Sequence, residues 1–355
     1  MVAREVHLKQ ALLPFLICPA CTGPITLKAE STDGAEVMEG RLTCLRCNSV
    51  FPITRGIPRF LGEHMSADQK ATADAFGYEW THYSKLTDAD SREFLDWMSP
   101  LTPADFNDRV VLDAGCGKGR HAFLSSRFNA RTVIGIDLSN AVEAAYRNTR
   151  DLPNVHIVQA DILHLPFAQP FDLIYSIGVL HHLPIPKNGF LALTKHVKQG
   201  GRISVWVYGK EGNRWIEMII DPLRKNITSR LPRVITRVLS FFPAVTLYLG
   251  LKLLYRPAKR MGWLKRLLPY SDYLCSISDY SFAENFWNVF DQLVAPTAYY
   301  HTEEEVIDWF QTARASDVRI SRHNSNSWRG TGLMSPQSSS SPVVLDGVQD
   351  DISVK

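Results

Sequence analysis

An α/β protein with a doubly wound parallel sheet, a helical cap and a small N-terminal cysteine module is the architecture that this 355-residue chain predicts. Three observations predict it. Apolar strands alternate with helical stretches between Arg109 and Gly209, a glycine-rich loop follows the first of those strands, and two Cys-x-x-Cys pairs stand apart near the N-terminus.

With 45% hydrophobic and 21% charged residues, the chain has the composition of a globular protein and can bury a core, which excludes collagen-like and wholly disordered classes. Its length suits one large domain and one small one. The main uncharged apolar run, Val238 to Leu251, is shorter than the roughly 18 residues a membrane span needs and contains Pro243 and Gly250, so no transmembrane helix is expected. Arg4 and Lys9 before the short apolar run Ala11 to Ile17 only loosely imitate a signal peptide, and a cytoplasmic location is expected.

Residues 1–62 form the first unit. Cys18/Cys21 and Cys44/Cys47 are spaced as metal knuckles, with 22 residues between the pairs to bring the chain back. Four thiolates can surround one Zn²⁺, and because all four ligands come from protein no position stays open for catalysis: the zinc is expected to be structural. Cys116 and Cys275 stand alone. From Glu63 to Asp108 the pattern turns helical, with Phe76, Trp80, Phe94, Leu95 and Trp97 among charged residues, opening a main domain expected over 63–334.

Within that domain the strands run Val110 to Asp113, Thr132 to Asp137, Val155 to Ala160, Phe171 to Tyr175 and Arg202 to Tyr208. Ligands of such folds sit at the carboxyl ends of the strands. Gly115, Gly117 and Gly119 follow the first strand and let the backbone approach a ligand that side chains would block. Asp137 ends the second strand, where a carboxylate can accept hydrogen bonds from ribose hydroxyls. A dinucleotide fingerprint would need a small residue where Arg120 stands, and a pyrophosphate disfavours an acid such as Asp113 on the strand entering the loop. Asp113 instead suits a cationic sulfonium, and Asp161, at a third strand end, suits an adenine amino group. Together the three acids describe S-adenosylmethionine better than NAD.

These residues resemble class I S-adenosylmethionine-dependent methyltransferases over about 75–325. The resemblance rests on Val111 to Gly119, Gly135 to Ser139, Gln159 to Phe167 and Phe171 to Pro184, which look like successive motifs of the small-molecule, quinone-biosynthesis-like branch. It implies a Rossmann-like sheet, adds Leu138 and Ile162 to the cofactor residues, and makes Phe76-Gly-Tyr-Glu-Trp80 a lid with Tyr78 and Trp80 near the cofactor. Leu13 to Cys21 and Cys47 to Leu61 likewise resemble the Trm112-type zinc ribbon, a module that partners methyltransferases and here is fused to one.

His181 and His182 follow the fourth strand and are expected as base or substrate contact. Asp291, Tyr299, Tyr300 and His301 resemble the substrate-side region of the same branch, which implies that they contact the substrate. Residues 214–266 carry twelve Lys/Arg against Glu217 and Asp221, so 214–270 is expected to be a basic helical cap insertion. A capping-box helix begins at Thr302, and the Ser-rich tail 335–355 is expected to be disordered.

The acceptor this pattern suggests is a small or lipid-like biosynthetic intermediate, methylated at oxygen or carbon, with peripheral membrane contact through 214–266. The alternative is an RNA methyltransferase whose zinc ribbon and basic segment bind nucleic acid. Two features weigh against the alternative: the fourth strand ends Ser176-Ile-Gly-Val179 without an Asn/Asp-Pro-Pro signature, and neither Cys116 nor Cys275 follows a proline.

Overall fold

The structure, a computed structural model, describes residues 11–34, 36–62, 65–86 and 88–334; the tail expected to be disordered lies outside the described residues. One sheet of eleven strands runs through them, in the order β1-β2-β3-β4-β7-β6-β5-β8-β9-β11-β10. Strands β5 (Val110–Ala114), β6 (Thr132–Asp137), β7 (Val155–Ala160), β8 (Phe171–Ile177) and β9 (Val197–Tyr208) are parallel, as the βα alternation requires. Strand β11 (Ser327–Met334) pairs antiparallel to β9, and β10 (Ala315–His323) closes that edge antiparallel to β11.

Side chains alternate across the sheet, which gives it two cores. Leu112, Ile134, Ile174 and Ile203 are buried on one face, Val111, Val133, Ile157 and Leu173 on the other. Helices cover both faces: α1 (Ala67–His82), α2 (Asp88–Met98), α3 (Arg120–Arg127), α4 (Val142–Thr149) and α5 (Pro186–Thr194). The strand order reverses beside β5, so the glycine loop after β5 opens onto the crevice where such sheets bind ligands.

The cysteine module is not a separate body. Its antiparallel strands β1 (Ile25–Asp33), β2 (Glu36–Cys44), β3 (Val50–Thr54) and β4 (Ile57–Phe60) extend the main sheet, because β4 pairs parallel to β7 through Arg59↔Gln159 and Phe60↔Ala160. Arg59 pins the junction, donating to Gln159 at 2.6 Å and pairing with Glu143 of α4.

After β9 the chain leaves the sheet and builds a cap: α6 (Asp221–Asn226), α7 (Arg233–Gly250), two short helices (Gly262–Leu267 and Ser271–Ser276) and α8 (Phe282–Val294), before α9 (Glu303–Thr312) leads into β10. The helical cap therefore runs past residue 270, to Val294. A π-type turn over Leu251–Tyr255 carries α7 on to Ala258, so Arg233–Ala258 is one helix of 26 residues, 22% of its apolar window buried. By length and composition it could cross a membrane, contrary to the expectation of no such helix. The uncharged run ends where Arg237 and Lys252 stand, but neither charge, nor Pro243, nor Gly250 ends the helix.

Candidate active site

The loop after β5 is shaped by contacts that only glycine tolerates. Gly115 has φ +93°, and a Cβ there would lie 2.3 Å from Val179; Gly117 has φ +51° and faces Trp80. The amides of Gly115 and Cys116 both donate to Ile136 O, at 2.8 and 2.7 Å. Asp137 completes the tie: its Oδ2 accepts the Gly117 amide at 2.9 Å, and its Oδ1 accepts the Ser139 amide and hydroxyl at 2.8 and 2.6 Å.

This loop forms one end of a cavity of about 1170 Å³ that reaches under the cap. Gly115, Gly117, Asp137, Leu138, Asp161, Ile162 and Trp80 line it, so the structure brings together most of the expected cofactor residues. Asp161 accepts the Leu163 amide at 2.9 Å, which orients its carboxylate at the end of β7. Lys118, missed in the sequence, is buried: it donates to Lys85 O at 2.8 Å and lies 4.2 Å from the ring centre of Tyr83. Arg120 lies over Trp80 and Trp97, at 5.5 and 5.0 Å. Together they make an aromatic, cationic wall above the loop.

Several expected residues sit elsewhere. Asp113 is 1% exposed beneath the loop and off the cavity wall, and burial pushes its carboxyl up to about 8, so it is no ready anionic partner for a sulfonium. Gly119 packs against Ala145 behind the loop. Tyr78 turns to Phe290 and His82 instead of the cavity, because it lies on a different face of α1 from Trp80.

Of the two histidines only His182 faces the cavity; His181 is fully buried and stacks on Tyr208 at 3.9 Å. His182 Nδ1 donates to Thr297 O at 2.6 Å, and burial pushes this imidazole down to about 4, so at neutral pH it is uncharged with Nε2 as an acceptor. On the substrate side Asp291 lines the cavity, whereas Tyr299 is exposed and His301 turns away to Glu305 and Trp309. Glu79, Tyr208 and Gln292, none of them expected as substrate contacts, line the cavity beside Asp291, as does Tyr300 of the expected cluster. Helical spacing could have found the first: Gln69, Thr72, Ala73, Phe76, Glu79, Trp80 and Tyr83 mark one face of α1 and its end.

At the far edge of the sheet, the sulfurs of Cys18, Cys21, Cys44 and Cys47 lie within 4.8 Å of one another, with Cys18–Cys47 at 3.6 Å and Cys21–Cys44 at 3.5 Å. Four thiolates at zinc bond lengths of about 2.3 Å would be under 4 Å apart, so the cluster fits a tetrahedral ion.

Comparison with known proteins agrees with this reading at domain level. Residues 111–201 match the model described as "Methyltransferase domain", and residues 9–56 the model described as "Trm112p-like protein". Among curated proteins, the tRNA U34 carboxymethyltransferase of Shewanella sediminis is 36% identical over 113 residues, 31% of this chain and 33% of that one. The tRNA U34 carboxymethyltransferase of Cellvibrio japonicus is 31% identical over 146 residues, 39% of this chain and 45% of that one. The chain thus spans from a third to under half the length of these relatives. Among solved structures, magnesium protoporphyrin IX methyltransferase from Synechocystis is 14% identical with a TM-score of 0.38, covering 78% of this chain and 91% of that one.

The curated relatives, named for tRNA, overturn the expectation of a small or lipid-like acceptor with membrane contact through 214–266. The two absent sequence signatures speak only to exocyclic amines and ring carbons as acceptors, not to RNA as such. Sheet order, glycine loop, cysteine cluster and family matches agree: the chain joins an N-terminal Trm112-like domain to a class I S-adenosylmethionine-dependent methyltransferase domain.

Proposed function

We propose that this chain is an RNA methyltransferase, with tRNA as its substrate class. The observation that carries the reading is the kinship of its methyltransferase region with relatives named tRNA U34 carboxymethyltransferase, at 36% and 31% identity. The cavity supports it: at about 1170 Å³ it exceeds the usual range of roughly 300–1,000 Å³ for one small ligand, leaving room for a cofactor and an extruded base. Trp206, Tyr208, Trp215, Tyr270 and Trp287 on its walls offer faces on which a base can stack.

When bound, S-adenosylmethionine supplies a methyl group activated by its sulfonium. The side-chain-free surface of Gly115 and Gly117 would let it lie close against the loop, Asp137 would accept from its ribose hydroxyls, Leu138 and Ile162 would flank its adenine, and Asp161 would accept from the adenine amine. Trp80 and Arg120 close this end against water, and His182 offers Nε2 to the incoming base. Alignment of acceptor and methyl group is the main contribution such a site makes, worth roughly 7–11 kcal/mol when geometry is held.

The test is transfer of tritium from methyl-labelled S-adenosylmethionine to unfractionated tRNA prepared from cells lacking this gene. Label in tRNA, with retention of tRNA that weakens as salt rises, is expected. Cofactor binding without label in any RNA fraction overturns the proposal.

A further inference from the structure

The cavity holds a cluster of polar atoms with no partner among the described residues. Glu79, 3% exposed on α1, leaves Oε2 unpaired, and Asp291 on α8 leaves Oδ1 unpaired. Asp291 Oδ2 accepts from Tyr208 Oη at 3.5 Å, and Gln292 Nε2 donates to the same hydroxyl at 3.1 Å while its own Oε1 stays unpaired. Tyr300 stacks on Tyr208 at 5.7 Å, with Arg224 beside its hydroxyl. Glu79, Asp291, Gln292, Tyr208 and Tyr300 share the cavity that also touches Gly117, Val179 and His182.

Unpaired carboxylate and amide oxygens in an aromatic cavity are costly unless an occupant brings hydrogen-bond donors. Two acids that line one such cavity, with the charge of Asp291 acting on Glu79, do not both ionise easily, so one holds a proton and the other is a base. We propose that Glu79 and Asp291 act as one proton-accepting pair, and that the group methylated is a protic oxygen or nitrogen of the RNA base, not a ring carbon. The proposal rests on the methyl-transfer reading above.

The step balances. The acceptor's oxygen or nitrogen forms the new bond to the methyl carbon, the carbon–sulfur bond breaks with its electrons staying on sulfur, and the acceptor's proton passes to the pair's carboxylate. Ring-carbon methylation would call for a covalent nucleophile. The wall's one cysteine among the described residues, Cys116, is buried in the glycine loop with its thiol pushed far above the ordinary value by burial.

The charged surroundings suit a shared proton. Asp291, Arg120 and Lys118 face Glu79; Arg224, Arg120 and the Tyr208 hydroxyl face Asp291. Burial pushes Glu79 well above the usual carboxylate range and Asp291 up to about 6, nearer to neutral pH than His182 at about 4.

The test compares Glu79→Gln and Asp291→Asn with the full-length wild type. Each should lower kcat on the tRNA fraction by about 10²-fold or more while the calorimetric affinity for S-adenosylmethionine changes less than about threefold, and should move the acid limb of the kcat–pH profile. Carbon-13 NMR of labelled carboxyls should show one group titrating above the usual range, and the surviving partner's titration should fall in each variant. Unchanged kcat, or an equal loss at every pH with the limb unmoved, overturns the pair. If the wild type labels no RNA, the RNA reading fails by itself and the NMR titration decides the pair: a partner signal unmoved by either substitution overturns it.

Discussion

The carboxylate of Asp137 accepts the amide of Gly117 at 2.9 Å, which ties the end of β6 to the glycine loop that leaves β5. Its other oxygen is held by Ser139, so the carboxylate is fixed before any ligand arrives. Asp137→Ala frees the Gly117 amide and removes the acceptor proposed for the ribose. Affinity for S-adenosylmethionine by calorimetry should fall at least about tenfold, corresponding to ~1.4 kcal/mol. Asp137→Asn, which keeps one acceptor oxygen, should lose less. An unchanged constant in the alanine variant would contradict the role given to this strand end.

A second prediction concerns the cysteine module. Only two residue pairs join β4 to β7, and Arg59 bonds both Gln159 of β7 and Glu143 of α4 beside them. Arg59→Ala leaves the buried Gln159 Oε1 without its donor, while Glu143 keeps its pairing with Arg55, a loss of about 1–3 kcal/mol. It should speed hydrogen exchange at the β3 and β4 amides while leaving β5 and β8 protected. Stripping metal with a chelator should act on the same amides, since the four cysteines anchor the other end of the module. Equal exchange at β3, β4, β5 and β8 would show that the module is not coupled through this junction.

The parts of the site coded by backbone geometry were legible in the sequence; the parts made by packing were not. Gly115, Gly117 and Asp137 announce themselves because a left-handed φ and a strand-end acid are written in single residues at fixed spacing. Glu79 and Asp291 are more than two hundred residues apart and meet only because α8 packs on α1. Tyr78 and His181 leave the cavity wall for a related reason, since adjacent residues of a helix or tight turn point in different directions. In α1 the register was readable from Gln69 to Tyr83 and puts Glu79 and Trp80, not Tyr78, on the cavity face.

His182 makes stability depend on pH. Burial lowers its folded pKa to about 4 from the ordinary 6.5. Between those values the unfolded chain binds a proton that the folded chain refuses, so stability falls as pH drops from about 6.5 to about 4 and gains nothing further below. The full effect is on the order of 3 kcal/mol. Urea midpoints at pH 7 and pH 5 should differ less in His182→Gln than in the wild type. The residual slope in the variant includes His121, His181, His196 and His301, which burial shifts the same way, and Asp291, raised by burial, opposes them.

The basic segment divides into charges used inside the cap and charges left for a partner. Arg224 and Lys225 pair with Asp221, Arg256 and Lys259 with Asp279, Lys265 with Asp272, and Lys252 holds the carbonyls of Ser278 and Tyr280. Arg214, Arg230, Arg260 and Arg266 are exposed and make no ion pair among the described residues. If the cap meets RNA, these four carry the phosphate contacts, and each contact neutralised releases bound counterions. Replacing all four by Gln should weaken tRNA retention and flatten the plot of log affinity against log salt by about 3, at roughly 0.7 per contact on a single strand. The affinity for S-adenosylmethionine and the melting midpoint should stay unchanged, because none of the four touches the cavity wall. An unchanged salt slope would move the RNA contacts away from the cap to another face of the chain.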